Sequence, residues 1–254
     1  MLTSGCAFWS PAMVPGASTD RVSFAGCLLR IQPTMGPRIG LVHALHASIA
    51  PIEATFARMW PEAETVSLYD ESLYVDFNKA GGMNRQIEER IEALLRFSSQ
   101  SGAQAILFTG SLFGDSVEAA RTRLDIPVLT AYESMIEEAF AGPRGRKLGL
   151  LATAEGTLEM MRSDIARYAG THSFEYVLQA NRVAGAIDAL LWGDRAEHDE
   201  LVLTAAAELA QCDILMLAQF SMAPVADRIR EQTGMRVLTS PGTAVEKLMR
   251  IFSQ

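Results

Sequence analysis

The chain contains few of the residues that mark several classes of protein. It has three cysteines, Cys6, Cys27 and Cys212, and their spacing matches neither a zinc site nor a redox pair. Its 22 Lys and Arg are outnumbered by 30 Asp and Glu and form no basic cluster, so we expect no nucleic-acid or membrane partner. No apolar run approaches the roughly 20 residues of a membrane-spanning helix. These features favour a cytoplasmic protein without a metal site.

One pattern occurs twice in the chain, with an offset of 109 residues. The segment Arg38-Ile-Gly-Leu-Val42 returns as Lys147-Leu-Gly-Leu-Leu151. Two further pairs follow the same spacing closely: Ile106-Leu-Phe-Thr-Gly110 with Ile214-Leu-Met-Leu-Ala218, and Val128-Leu-Thr130 with Val237-Leu-Thr239. Duplicated units of this kind usually pack as two lobes related by a two-fold axis, with a cleft between them.

Short runs rich in Val, Ile and Leu alternate with helical patterns, which is typical of βα units on a parallel sheet. We expect helices at 84–99 and 197–210, because apolar residues there recur with helical spacing. The fold class that follows is α/β, with two pseudo-symmetric doubly wound lobes, parallel sheets and an active-site cleft between the lobes. The predicted strands are Arg38–Val42, Thr65–Leu68, Ala105–Phe108 and Pro127–Leu129, then Lys147–Ala152, Phe174–Val177, Ile214–Leu217 and Arg236–Leu238.

The domain boundaries are approximate. Residues 1–34 carry scattered prolines and no sustained periodicity, so we expect a disordered extension that the folded part does not need. Residues 35–130 together with 236–254 form the first predicted lobe. Residues 131–235 form the second, and the lobes thus exchange terminal segments.

The loop after the third strand, Thr109-Gly-Ser111, precedes a helix for which Asp115 or Ser116 is the predicted cap. Backbone N–H groups and hydroxyls that converge at such a turn can bind an anion, and a small carboxylate fits this chemistry. A tight strand-to-helix turn with capping hydroxyls is the alternative interpretation.

Several segments together resemble the aspartate/glutamate racemase superfamily. They are Arg38-Ile-Gly-Leu-Val-His43, Trp60-Pro61, Asp70-Glu-Ser-Leu73, Ile106 to Gly114, Val117-Glu-Ala-Ala120, Ile126-Pro-Val-Leu129, Leu215 to Met222 and Val237-Leu-Thr-Ser-Pro241. The resemblance implies a two-lobed fold and cofactor-independent chemistry next to a carboxylate. In the superfamily this chemistry includes racemisation of amino acids or hydantoins, maleate isomerisation and arylmalonate decarboxylation. It also implies a homodimer.

The chain departs from this superfamily at two positions. In its racemases a cysteine ends the third strand of each lobe, and the two thiols remove and return the α-proton. The matching residues here are Gly110 and Ala218. Arylmalonate decarboxylases resemble the chain in having glycine at the first position, but they keep the second cysteine.

Other groups must then move the proton if the chain is an enzyme. The 109-residue offset makes His46 and Glu155 equivalent, so we predict that they act as base and acid across the cleft, with His43 as a further candidate. A loop histidine is more often a cap or a solvated side chain, and these carboxylates are more often surface groups. The predicted substrate-binding residues are Thr109, Gly110, Ser111, Thr153, Ala218, Gln219, Ser221 and Thr239.

Three functions remain open at this point. The first is a cofactor-independent isomerase or racemase acting on a small carboxylate such as an amino acid or a derivative. The second is a decarboxylase of malonate-like acids, which would stabilise an enediolate. The third is a carboxylate-binding protein without catalytic activity.

Overall fold

The computed structural model describes residues 36–142 and 145–253. The predictions for residues 1–34, and for Cys6 and Cys27, lie outside the described residues. No helix within the described part of the chain is both long enough and apolar enough to cross a membrane.

The first sheet is parallel and four-stranded, in the order β2-β1-β3-β4. Its strands are β1 (Arg38–His43), β2 (Glu64–Tyr69), β3 (Ala105–Phe108) and β4 (Val128–Leu129). β3 is buried along its whole length, as expected for a central strand of a parallel sheet covered on both faces.

The second sheet repeats this arrangement as β6-β5-β7-β8, again all parallel. Its strands are β5 (Arg146–Ala152), β6 (Tyr176–Arg182), β7 (Ile214–Leu217) and β8 (Arg236–Thr239). The register also repeats, since Ile39 faces Ala105 in the first sheet and Leu148 faces Ile214 in the second. Both residues of the second pair lie 109 positions after those of the first, so the repeat read from the sequence is a repeat of strand pairing.

Helices connect the strands and cover the sheets. The helices are α1 (Ile49–Met59), α2 (Ser72–Ala80), α3 (Arg85–Gln100), α4 (Gly114–Arg121), α5 (Glu133–Phe140), α6 (Glu155–His172), α7 (Ala186–Leu191), α8 (Arg195–Ala207), α9 (Ala226–Thr233) and α10 (Ser240–Phe252). Short 3₁₀ helices span His46–Ser48, Ser111–Phe113 and Phe220–Val225.

Local signals in the sequence explain several helix ends. Asn84 caps α3 by accepting a hydrogen bond from the Ile87 N–H at 3.0 Å, as helix N-termini require. The predicted cap of α4 by Asp115 or Ser116 is wrong, because that helix begins at Gly114 directly after a 3₁₀ turn and has no side-chain cap. The strand predicted at Phe174–Val177 lies later, at β6, because Phe174 stacks on Phe140 before the strand begins.

One apolar cluster joins the two sheets. It contains Leu41 and Leu107 from the first sheet and Leu150 and Met216 from the second, all fully buried. Helices α1, α5, α6 and α10 contribute to the same cluster. Because the two sheets share this core, the carboxyl ends of their strands are held in a fixed relation.

The predicted lobe boundary at residue 236 needs a correction. Strand β8 pairs with β7, so residues 236–239 belong to the second sheet and not to the first lobe. The helix that follows, α10, contacts α1 and α5. The chain therefore returns to α1 of the first lobe only after β8, the last strand of the second sheet, is complete.

Gly40 and its repeat counterpart Gly149 offer a matched stability test. A β-carbon at Gly40 would lie 2.0 Å from Ser98 Oγ and 3.2 Å from the Ala103 β-carbon, whereas one at Gly149 would meet its nearest neighbour at 3.0 Å. We expect Gly40→Ala to lower the free energy of unfolding in urea by about 1–3 kcal/mol through overpacking, and Gly149→Ala to lower it less. Ser98→Ala should recover part of the loss in the Gly40→Ala background. Equal losses at the two glycines would contradict this packing.

Candidate functional site

A cavity of about 60 Å³ lies where the loops after β1, β3, β5 and β7 meet. This is the edge at which parallel α/β sheets usually bind ligands. Helices α2 and α7 close it with Tyr74, Ile187 and Leu190. The remaining lining residues are Ala44, Leu45, Ala47, Ser48, Thr109, Gly110, Ser111, Leu112, Phe113, Thr153, Ala218, Gln219, Phe220 and Ser221.

Seven of the residues predicted from sequence line this single cavity: Thr109, Gly110, Ser111, Thr153, Ala218, Gln219 and Ser221. They come from both sheets, so the structure brings the two repeat-related loops to one place. His43, His46, Glu155 and Thr239 do not line it.

The wall formed by the second sheet presents two donors without partners. The Thr153 backbone N–H donates to Gln219 Oε1 at 3.0 Å, which directs the amide nitrogen of Gln219 away from that bond. Thr153 Oγ1 and Gln219 Nε2 are both buried and have no hydrogen-bond partner among the described residues. Buried polar groups are costly when unpaired, so these two donors are suited to an oxygen atom of a ligand.

The wall formed by the first sheet carries a hydrogen-bonded histidine. His43 is fully buried behind the cavity, and its Nδ1 lies 2.9 Å from Thr109 Oγ1. Ser48 Oγ, 2.8 Å from Thr109 Oγ1, donates its own proton to the Leu45 carbonyl at 2.7 Å. The hydroxyl proton of Ser48 is thereby engaged, and the histidine ring is linked to the cavity through Thr109.

The Nε2 edge of the His43 ring faces two polar side chains on the side away from Thr109. His43 Nε2 lies 3.3 Å from Ser67 Oγ, and Ser67 Oγ donates to Glu53 Oε1 at 3.2 Å. Because a carboxylate only accepts, Ser67 must accept from the ring, which places the proton of neutral His43 on Nε2. His43 Nδ1 is then free to accept a hydrogen bond from the Thr109 hydroxyl, which also lies 2.8 Å from Ser48 Oγ. Burial lowers the pKa of His43 to about 4, so the ring is neutral at pH 7.

The structure does not bring the predicted His46–Glu155 pair to the cavity. His46 is exposed with its ring edge against Tyr69, and the Glu155 side chain is 60% exposed and pairs with Arg182 at 3.3 Å. The side chains of His46 and Glu155 point in different directions although the two positions are equivalent in the repeat. A 3₁₀ turn precedes α1, whereas α6 begins directly at Glu155.

Thr239 also has another role. Its Oγ1 accepts a hydrogen bond from the Gly242 N–H at 3.2 Å, which caps α10. The structure thus places Thr239 outside the lining of the cavity, with its side chain in a helix cap.

Gly110 is constrained by aromatic packing. A β-carbon there would lie 2.7 Å from both Phe108 Cε1 and Phe113 Cδ2, two rings that pack edge to face with centroids 5.9 Å apart. Ala218, the equivalent position of the second sheet, is fully buried and lines the same cavity. The first-sheet position thus has no room for a side chain unless these rings move.

Sequence reasoning missed several lining residues. Ser48 gave no motif, and Tyr74 follows directly after the Asp70–Leu73 segment that carried part of the family resemblance. Ile187 and Leu190 lie on α7, a helix of six residues that showed too little periodicity to be predicted. These residues reach the cavity only through the tertiary fold.

The fold and this cavity define an α/β protein with two parallel sheets and a candidate ligand site where their strand ends meet. The sequence model of the Asp/Glu/Hydantoin racemase family matches residues 34–248. The chain therefore belongs to the Asp/Glu/Hydantoin racemase family. Among curated proteins, no sequence matches the chain.

Solved structures share the fold at low sequence identity. Allantoin racemase from Klebsiella pneumoniae has a TM-score of 0.65 and 16% identity, covering 86% of this chain and 88% of its own. Glutamate racemase RacE1 from Bacillus anthracis has a TM-score of 0.62 and 15% identity, covering 85% and 82%. Unliganded arylmalonate decarboxylase has a TM-score of 0.54 and 15% identity, covering 84% and 92%. These structures are similar in fold and differ from one another in activity.

The packing at Gly110 predicts a cost for a restored thiol. We expect Gly110→Cys to lower the free energy of unfolding by about 1–3 kcal/mol, since its β-carbon must displace two buried rings. Gly170→Ala is the control, because a β-carbon there meets no atom within 4 Å and the exposed α6 position should gain up to about 1 kcal/mol. Chemical denaturation measures both. A neutral or stabilising Gly110→Cys would show that the rings adapt freely.

The buried histidine predicts a pH dependence of stability. Between about pH 4 and pH 6.5 the unfolded chain binds a proton at His43 that the folded chain does not. The stabilisation is therefore present at pH 7 and is lost as the pH falls through this window, by on the order of 3 kcal/mol. His43→Gln should flatten the fall in unfolding free energy measured in urea. An unaltered slope in His43→Gln would contradict the prediction.

Proposed function

We propose that the chain is a cofactor-independent enzyme of its family that binds a small carboxylate in the cavity and moves a proton at the adjacent carbon. The observation that carries the proposal is the pair of buried, unpartnered donors at Thr153 and Gln219. Neutral donors fixed in a site shielded from water stabilise negative charge on a carboxylate or on the enediolate that forms from it.

The lining also limits the substrate. Of the described residues that line the cavity, none is Asp, Glu, Lys or Arg. A free ammonium group would find no carboxylate there, which is costly, whereas the carboxylate of the ligand meets the unpaired donors of Thr153 and Gln219. We infer that the substrate is a carboxylate, or an amino-acid derivative with an uncharged nitrogen, and not a zwitterionic amino acid.

Thr109 and His43 supply the proton transfer in this proposal. Thr109 Oγ1 takes the α-proton while its own proton passes to His43 Nδ1, and the electron pair of the broken C–H bond stays on the substrate as an enediolate. The Nε2 proton of His43 can pass to Ser67 as the Ser67 proton passes to Glu53, which keeps the buried ring neutral. Return of a proton to the same face regenerates the starting acid, so inversion requires the enediolate to turn its other face to Thr109 before the proton returns.

A decarboxylase of malonate-like acids is the second candidate. The second-sheet wall, formed by Thr153, Ala218, Gln219 and Ser221, contains no acid or base. Racemisation by direct transfer on both faces needs a proton-transferring group on each side, whereas decarboxylation needs a proton delivered on one face only. The one-sided placement of His43 favours this candidate.

Deuterium exchange tests both candidates. The protein is incubated in D₂O with substituted malonates and N-acylated amino acids, and NMR follows α-deuterium and loss of carboxylate. We expect Thr109→Val to lower turnover at least 100-fold, since it removes the hydroxyl between substrate and His43, and Thr153→Val chiefly to weaken binding.

Thr239→Val is the matched control for these threonine variants. It removes a helix cap and should cost about 1 kcal/mol of stability without a change in turnover. Loss of turnover in His46→Gln or Glu155→Gln, but not in Thr109→Val, would overturn the assignment of the proton-transferring groups. Binding without exchange or decarboxylation would instead favour a non-catalytic carboxylate-binding protein.

A further inference from the structure

A large groove adjoins the small cavity. The groove has a volume of about 830 Å³, and Leu112 is the one described residue that lines both spaces. Leu112 therefore lies at the boundary between the cavity and the groove. Its Cδ2 lies over Gly156 in the first turn of α6, where a β-carbon would be only 3.3 Å away. The glycine leaves the room that Leu112 occupies.

The cavity by itself holds very little. At about 10–15 Å³ of accessible space per water molecule, its 60 Å³ corresponds to roughly four to six waters. That space accepts a malonate-sized head group, two carboxylates on one carbon, but not a further substituent on that carbon. Any larger group on the reacting carbon must extend into a neighbouring space, and the groove beyond Leu112 provides one.

We propose that the groove is a second subsite, which binds the uncharged, apolar substituent of an acid whose carboxylate lies in the cavity, with Leu112 setting the boundary between them. This inference rests on the proposed function of the cavity. Phe77, Met83 and Met160 form the apolar part of the groove. These three side chains match an alkyl or aryl group, whose transfer from water into an apolar site is favourable.

The charges of the groove exclude an anionic substituent. It is lined by four carboxylates and two arginines, with Arg85 paired to Glu89 and Arg123 paired to Glu92. Glu88 and Asp115 remain without an ion pair among the described residues. This excess of negative charge repels a second acidic group at the far end of the ligand.

Malonate and benzylmalonate form a matched pair of probes, because they differ only in the benzyl substituent. Ala119 lies on the exposed face of α4 and lines the groove, so Ala119→Trp fills the groove without disturbing the core. Isothermal titration should show that Ala119→Trp weakens benzylmalonate at least tenfold and changes malonate less than twofold. Ala119→Ser, which adds little volume, should bind both acids like the parent protein.

Variants at the boundary test Leu112 directly. Leu112→Ala joins the two spaces and should bind benzylmalonate at least tenfold more tightly than the parent. Leu190→Ala enlarges only the cavity and should raise the affinity for benzylmalonate no more than about threefold.

If both acids bind the parent but neither Ala119→Trp nor Leu112→Ala changes the affinity for benzylmalonate selectively, the groove is not the subsite and this inference fails alone. If neither acid binds the parent or the Leu112→Ala variant, the proposed function fails and the inference fails with it.

Discussion

The hydrogen bond from the Thr153 N–H to Gln219 Oε1 is the interaction on which the site depends. It joins the loops after β5 and β7, and it settles which end of the Gln219 amide is left free. The free Nε2 and the Thr153 hydroxyl are then two donors buried without partners. Buried donors normally have hydrogen-bond partners, and a ligand oxygen in the cavity would supply the partner that these two lack.

The strand framework could be predicted because its signal is local. The buried strands of a parallel sheet appear in the sequence as short runs of Val, Ile and Leu. The repeat at 109 residues is present in the strand register as well as in the amino-acid sequence. The edge strand β6 was less predictable. Its side chains are half exposed, and its start is set by the stacking of Phe174 on Phe140, which is a tertiary contact.

The site could be predicted only where strand ends determine it. Loops that follow the central strands of each sheet must meet at one edge, and so Thr109 and Gln219 were found from sequence. Side-chain direction within those loops is not fixed by the repeat, which is why Glu155 turns to solvent and Thr239 caps a helix. The proposed proton route behind Thr109 includes Ser67, which lies on a neighbouring strand and carries no sequence signal.

A crystal structure of the protein with malonate would test the central claim most directly. The account predicts a carboxylate oxygen within about 3 Å of both Thr153 Oγ1 and Gln219 Nε2, with the reacting carbon facing Thr109. Malonate bound beside His46 and Glu155, or a cavity in which both donors are satisfied by other protein groups, would contradict it.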